Sequence, residues 1–332
     1  MRGVNPNGGV DDLTGGRMER GRSVMGVMRG VRFIALAAGT LGGLYGAAYG
    51  LLTGQARRAE RIIGPPVAPP WLADGVYLPD GSGPVPPSDE DDALRFAMFG
   101  DSMAAGLGVD SADQLPSVVL ARGLAEEADR PVRLDTYAVV GAATKDLPAQ
   151  VEQALVTPPH VAVIIVGAND VTTLTTVPDA VAGLERVIRT LQDAGCGVVV
   201  GTCPDLGVIR PIAQPLKSIA RVWSLLLARG QRKAVARLGA IPVPLADLLA
   251  PEFLARPREF FSSDQFHPSA VGYDAACSVL LPALCTVAGV WTGGPLPRLP
   301  FRSPLAEARR PTAKFIARLN LRFGKPVRQL AQ

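Results

Sequence analysis

The sequence is poor in the residues that much protein chemistry draws on. Its 332 residues include two histidines, His160 and His267, so a histidine-dependent reaction has only two candidates. The four cysteines, Cys196, Cys203, Cys277 and Cys285, contain no Cys-x-x-Cys pair and fit no zinc pattern. No glycine-rich loop carries Gly-Lys-Ser/Thr or GxGxxG, which disfavours nucleotide binding. Aromatic residues are 5% of the chain, too few to interleave with its basic clusters as a nucleic-acid surface would need. Those clusters lie near the ends, with Arg17, Arg20, Arg22, Arg29 and Arg32 on one side and a run from Arg298 to Arg328 on the other. A membrane surface accounts for both better than nucleic acid does.

What is abundant is alanine, valine and leucine. A hydrophobic content of 48% with few aromatics suits a buried parallel sheet covered by helices. Phe33 to Thr53 is an uncharged stretch of 21 residues. As a helix rising about 1.5 Å per residue it just crosses a hydrocarbon core of roughly 30 Å. It exceeds a signal-peptide apolar core, so an uncleaved anchor is expected over a cleaved, secreted form. Five arginines before it against Arg57, Arg58 and Arg61 after it put the N-terminus inside and the remainder on the outer face. Gly42, Gly46 and Gly50 recur every fourth residue, a spacing that permits self-association but is also common in membrane helices generally.

The organisation read along the chain is a basic tail (1–32), the anchor (33–53), a proline-rich spacer (54–93), a globular domain (94–290) and a basic C-terminal tail (291–332). In the last, the chain turns helical around 312–323, with Lys314, Arg318, Arg322 and Lys325 opposite Phe315, Ile316, Leu319 and Phe323. Such a helix suits an anionic membrane interface or docking on its own domain. The even cysteine count is compatible with disulfides in an oxidising compartment, or with buried free thiols.

Within the globular part, apolar strand patterns at 94–99, 132–140, 161–166, 197–202 and 240–244 alternate with helical patterns at 113–128, 146–155, 178–194, 213–238 and 269–286. Alternation of this kind implies an α/β fold, a parallel sheet with helices on both faces, and a site outside the carboxyl ends of its strands. Three islands lie at such ends or in loops. Gly100-Asp101-Ser102 offers a hydroxyl on a tight turn, and Gly167-Ala168-Asn169-Asp170 offers a side-chain amide donor. Asp264-Gln265-Phe266-His267 offers an imidazole with a carboxylate three residues before it. A nucleophile, an oxyanion donor and an oriented base are the parts of acyl transfer through a serine ester. Gly141, after Tyr-Ala-Val-Val, can add a backbone N–H, while His160 starts a strand on the far side and is read as structural.

In that order and spacing the islands resemble the SGNH (GDSL) hydrolase superfamily, over residues from about 94 to 286. The resemblance implies a three-layer α/β/α sandwich with a five-stranded parallel sheet of flavodoxin-like type, here preceded by one transmembrane helix. It implies Ser102 as nucleophile, His267 as base and Asp264 as its orienting acid. The oxyanion hole would comprise Ser102, Gly141 and Asn169. Met103 stands where the family often has leucine, a volume-conserving change. No metal or organic cofactor is implied. Substrates would be carboxylic esters, among them envelope lipids, with O-acetyl esterase or acyl-transferase action on envelope polysaccharide as the alternative.

Overall fold

The computed structural model describes residues 42–66, 68–87, 92–291 and 293. The expected basic tail, the first part of the expected anchor (33–41) and the 312–323 helix lie outside the described residues.

Six strands form one sheet: β1 (Gly75–Tyr77), β2 (Leu94–Gly100), β3 (Val132–Thr136), β4 (Val161–Ile165), β5 (Gly197–Gly201) and β6 (Ile241–Val243). Their order is β1-β3-β2-β4-β5-β6. All neighbours are parallel except β1, which pairs antiparallel with β3. The helices are α1 (Gly42–Ile63), α2 (Pro116–Ala128), α3 (Leu147–Ala154), α4 (Ala168–Thr172), α5 (Val177–Asp193), α6 (Leu216–Arg237), α7 (Leu245–Ala255), α8 (Pro257–Phe260) and α9 (Ala270–Val287).

The central strands are apolar on both sides because both faces are covered. Successive residues of β2 and β4 divide between two cores, as a period of two requires. Phe96, Met98, Val163 and Ile165 pack with Leu120 and Leu124 of α2, Leu249 and Phe253 of α7, and Leu280 and Leu284 of α9. Ala97, Phe99, Ala162 and Ile164 pack with Leu147 and Val151 of α3 and Leu184, Val187 and Ile188 of α5. Among the described residues α9 alone has the length and apolarity of a membrane span. Ala276, Cys277, Leu280, Ala283, Leu284 and Cys285 belong to the first of these cores, which accounts for that composition.

The five expected strands are present and all parallel, and among the described residues Gly75-Val76-Tyr77, within the expected spacer, adds a sixth, antiparallel strand at their edge. A three-residue strand among prolines is too short to show periodicity. It is held by complete burial of Tyr77, whose hydroxyl donates to the Ala73 carbonyl at 2.6 Å. The strand expected over 132–140 ends at Thr136, and beyond it only the N–H groups of Tyr137 and Val139 still bond to β2. The four cysteines are buried free thiols, which settles the alternative left by their even count.

Of the expected anchor, residues 42–53 are described, and they are helical. The helix does not stop at Thr53 but runs on through Arg57, Arg58 and Arg61 to Ile63. Its last turns lie on the globular part. Ala59 is buried there, and the Gln55 amide donates to the Gln214 carbonyl and accepts from the Leu216 N–H at 3.1 Å.

Candidate active site

Three loops meet at the carboxyl edge of the sheet. Ser102 lies two residues beyond Gly100, the last residue of β2. Gly100 has φ 137°, and a Cβ there would stand 1.9 Å from the Ile165 carbonyl oxygen of β4. Only glycine lets the chain turn so close to its neighbour strand. The following turn is closed by Leu107 N–H donating to the Ser102 carbonyl at 2.9 Å. Gly108, at φ 108°, serves the opposite loop: a Cβ would lie 2.6 Å from the Pro268 carbonyl oxygen and 3.1 Å from the His267 Cβ. Its missing side chain allows the histidine loop to reach the serine loop across 165 residues of sequence.

There His267 Nε2 stands 2.9 Å from Ser102 Oγ, and both residues are buried to within 7% exposure. His267 Nδ1 is 2.5 Å from Asp264 Oδ2. An ionised carboxylate can only accept, so Nδ1 carries the hydrogen and Nε2 presents its lone pair to the serine hydroxyl. Asp264 is itself fixed: its other oxygen accepts from the Ser262 hydroxyl at 2.7 Å and from the N–H groups of Phe266 and His267 at 2.8 and 2.9 Å. Burial pushes its carboxyl up, but the hydrogen bond and charge of His267, then the Phe266 N–H and the Ser262 hydroxyl, outweigh that and hold it at about 2. It therefore stays ionised at neutral pH, as an acceptor for His267 Nδ1–H must. The arrangement can take a proton from Oγ and return it to a leaving group.

Asn169, the second residue of α4, directs one Nδ2 hydrogen to the Ala142 carbonyl at 3.0 Å. This ties it to the turn holding Gly141, whose φ is 84°. The same two loops are clamped from behind. The buried Asp170 carboxylate accepts from the Thr144 hydroxyl at 2.9 Å and from the Thr144 N–H at 3.1 and 3.2 Å. Burial raises its pKa, and the Thr144 bonds oppose that. Asp101, beside the serine, is fully buried and accepts from the Met103 N–H at 2.9 Å. Desolvation is the main reason its carboxyl is pushed up to about 7. The Met103 bond opposes the rise, and the charge of Asp170 adds to it.

Ser102, Asn169 and His267 border a pocket with an empty volume of about 710 Å³ including its open mouth. Its walls are apolar: Leu206, Val208 and Ile209 after β5, Leu245, Leu249 and Phe253 from α7, and Phe261 and Phe266 from the histidine loop. The one buried charge in the wall is Asp205, which faces Arg221 Nε at 3.1 Å and accepts from the Gly207 N–H at 2.8 Å. His160 is elsewhere. It lies at the amino end of β4, with its ring Nδ1 accepting from the Arg95 N–H at 3.0 Å, in keeping with its structural reading.

Of the residues expected from sequence, Ser102, His267 and Asp264 are joined by hydrogen bonds, while Asn169 and the turn of Gly141 meet at the adjacent rim. The pocket wall from α7 was missed. Leu245, Leu249 and Phe253 recur every four residues, which was a legible helical face. Pro251 inside the pattern, with Pro244 just before it, masks it.

Residues 98–275 match the model of the GDSL-like Lipase/Acylhydrolase family. The chain is 45% identical over 263 residues to the GDSL-like esterase Rv1075c of Mycobacterium tuberculosis, covering 76% of this chain and 82% of that protein. Among solved structures, TesA aligns with a TM-score of 0.48 at 19% identity, over 58% of this chain and 99% of that one. A lipase/acylhydrolase from Enterococcus faecalis aligns with a TM-score of 0.45 at 22% identity, over 56% and 93%.

Proposed function

Since the chain belongs to the GDSL-like lipase/acylhydrolase family and is an ester hydrolase, we propose that it cleaves carboxylic esters of apolar acyl chains through an acyl-enzyme on Ser102. The observation carrying this reading is the continuous hydrogen-bonded line Ser102 Oγ, His267 Nε2, His267 Nδ1, Asp264 Oδ2, opening onto an apolar pocket.

Ser102 Oγ attacks the ester carbonyl as its proton passes to His267 Nε2, and Asp264 stabilises the imidazolium. Charge on the carbonyl oxygen is met by the N–H groups of Ser102 and Gly141 and by the Nδ2 hydrogen of Asn169 that Ala142 does not use. His267 returns the proton to the alkoxide as the C–O bond breaks, leaving the acyl group on Ser102. A water then gives a proton to His267 and attacks the acyl carbon. The acid departs and Oγ recovers its hydrogen. The pocket takes the acyl chain, since away from Ser102, Asn169 and His267 at its border the only polar side chain in its lining is Asp205, already engaged with Arg221.

The expected placement belongs to the same proposal. A single-pass anchor over 33–53 tethers a globular domain on the outer face of a membrane, and α1 is the continuation of that anchor onto the domain. The substrates would then be esters held near a bilayer. Hydrolysis of p-nitrophenyl esters of graded chain length by the full chain, beside Ser102→Ala, tests the reading. Activity that rises from acetyl toward medium chains and vanishes in Ser102→Ala is expected. Activity independent of Ser102 would overturn it, and a preference for acetyl, or acyl transfer to an added sugar, would favour action on acylated glycans.

A further inference from the structure

Two fully buried side chains at the carboxyl edge of the sheet have no part in the chemistry above, yet each grips the backbone just before a residue that does. Gln150 of α3 accepts from the Gly100 N–H at 2.9 Å through Oε1 and donates to the Gly100 carbonyl at 2.9 Å through Nε2. Gln231 of α6 accepts from the Cys203 N–H at 2.7 Å and donates to the Val166 carbonyl at 3.0 Å. Their exposures are 3% and 0%. Gly100 precedes Ser102 by two residues, and Val166 precedes Asn169 by three.

The need for them follows from the strand geometry. β3 stops at Thr136, and the chain beyond it still donates from Tyr137 to Met98 and from Val139 to Gly100. It no longer offers a carbonyl to the Gly100 N–H, and Gln150 supplies the acceptor in its place. Likewise β4 and β5 end at Ile165 and Gly201, and Gln231 bridges their continuations where ladder bonds cease. A primary amide fits both places because it carries a donor and an acceptor in one plane without charge. A carboxylate could not donate, and an aliphatic side chain would leave both backbone groups buried without partners.

We propose that Gln150 and Gln231 are positioning residues for ester hydrolysis, fixing the strand ends that set Ser102 and Asn169 against each other. This rests on the roles given above to Ser102 and Asn169. A transition state that needs the hydroxyl and the amide donor at set positions is sensitive to small displacements, whereas binding of an apolar chain along the walls from α7 and the loop after β5 is not. Loss of either glutamine should therefore lower kcat with little change in KM.

The test uses the full chain as Gln150→Leu, Gln150→Met, Gln231→Leu and Gln231→Met, assayed on p-nitrophenyl butyrate at a temperature where thermal unfolding shows each folded. Gln→Met keeps length and volume and is the variant to read if Gln→Leu does not fold. Ile188→Val, a core change that touches none of the bonds made by Gln150 or Gln231, is the control for lowered stability. The expected result is a kcat reduced roughly 10- to 100-fold with KM within about threefold of native, as for a displacement of about 1 Å. The control should keep its kcat. Folded glutamine variants with kcat within twofold of native would overturn the proposal while Ser102→Ala remained inactive. So would a matching loss of kcat in Ile188→Val. An active Ser102→Ala would instead remove the reading on which it rests.

Discussion

Asp101→Asn should make the protein's stability less dependent on pH. The carboxyl is fully buried, and its pKa stands at about 7 against 3.8 for the unperturbed group. Between those values the folded chain holds a proton that the unfolded chain has released. Stability therefore falls as pH rises through this window: the contribution is complete below 3.8 and gone above 7. A rise of about 3 units at 1.36 kcal/mol each gives about 4 kcal/mol as a ceiling. Asparagine retains an acceptor for the Met103 N–H, whose bond to Asp101 is 2.9 Å, and has no proton to lose. The stability difference, Asp101→Asn minus native, should grow from about pH 4.5 to 7 and level off above. At about 2–4 °C per kcal/mol for a domain of this size, that is a difference in Tm of up to about 8–16 °C. Thermal and urea unfolding of both proteins across roughly pH 4.5–8.5 measures it. Contributions from Asp264 and Asp205 cancel in the difference. Unfolding curves that stay parallel across the range, within about 0.5 kcal/mol, would refute a buried, proton-binding Asp101.

Asn169→Ala should lower kcat by about 10²–10³ with folding intact, if its amide meets the developing oxyanion; a loss under threefold in steady-state turnover would remove it from that role. Leu249→Trp should fill the apolar pocket and shift the preferred acyl chain downward, keeping acetyl ester turnover while medium-chain turnover drops. An unchanged chain-length profile would place the acyl chain elsewhere.

Much of the fold was legible in the sequence because parallel strands buried on both faces leave uninterrupted apolar runs. Val161–Ile165 and Gly197–Gly201 appeared within a residue of their observed ends. What failed had physical causes. β1 is three residues long and stabilised by one buried tyrosine rather than by periodicity. β3 ends where its carbonyls lose their partners on β2, although the Tyr137 and Val139 N–H groups still donate to Met98 and Gly100, a tertiary change with no local signature. For the site, Ser102, Asn169, Asp264 and His267 stood out because their residue types were rare or sat at strand ends. Gln150 and Gln231 did not, since a glutamine in a helical pattern looks like a solvated surface residue until burial is known. The depth of the pocket was equally hidden, being assembled from α7, the loop after β5 and the histidine loop.

The central claim is that Ser102 Oγ becomes acylated with His267 as its base, and intact-mass analysis of the rapidly quenched enzyme during turnover of a medium-chain p-nitrophenyl ester tests it most directly. The account predicts a mass increase of one acyl group, located by peptide mapping on Ser102 and absent in both Ser102→Ala and His267→Ala. Acylation of another residue, or undiminished acylation of Ser102 in His267→Ala, would contradict it.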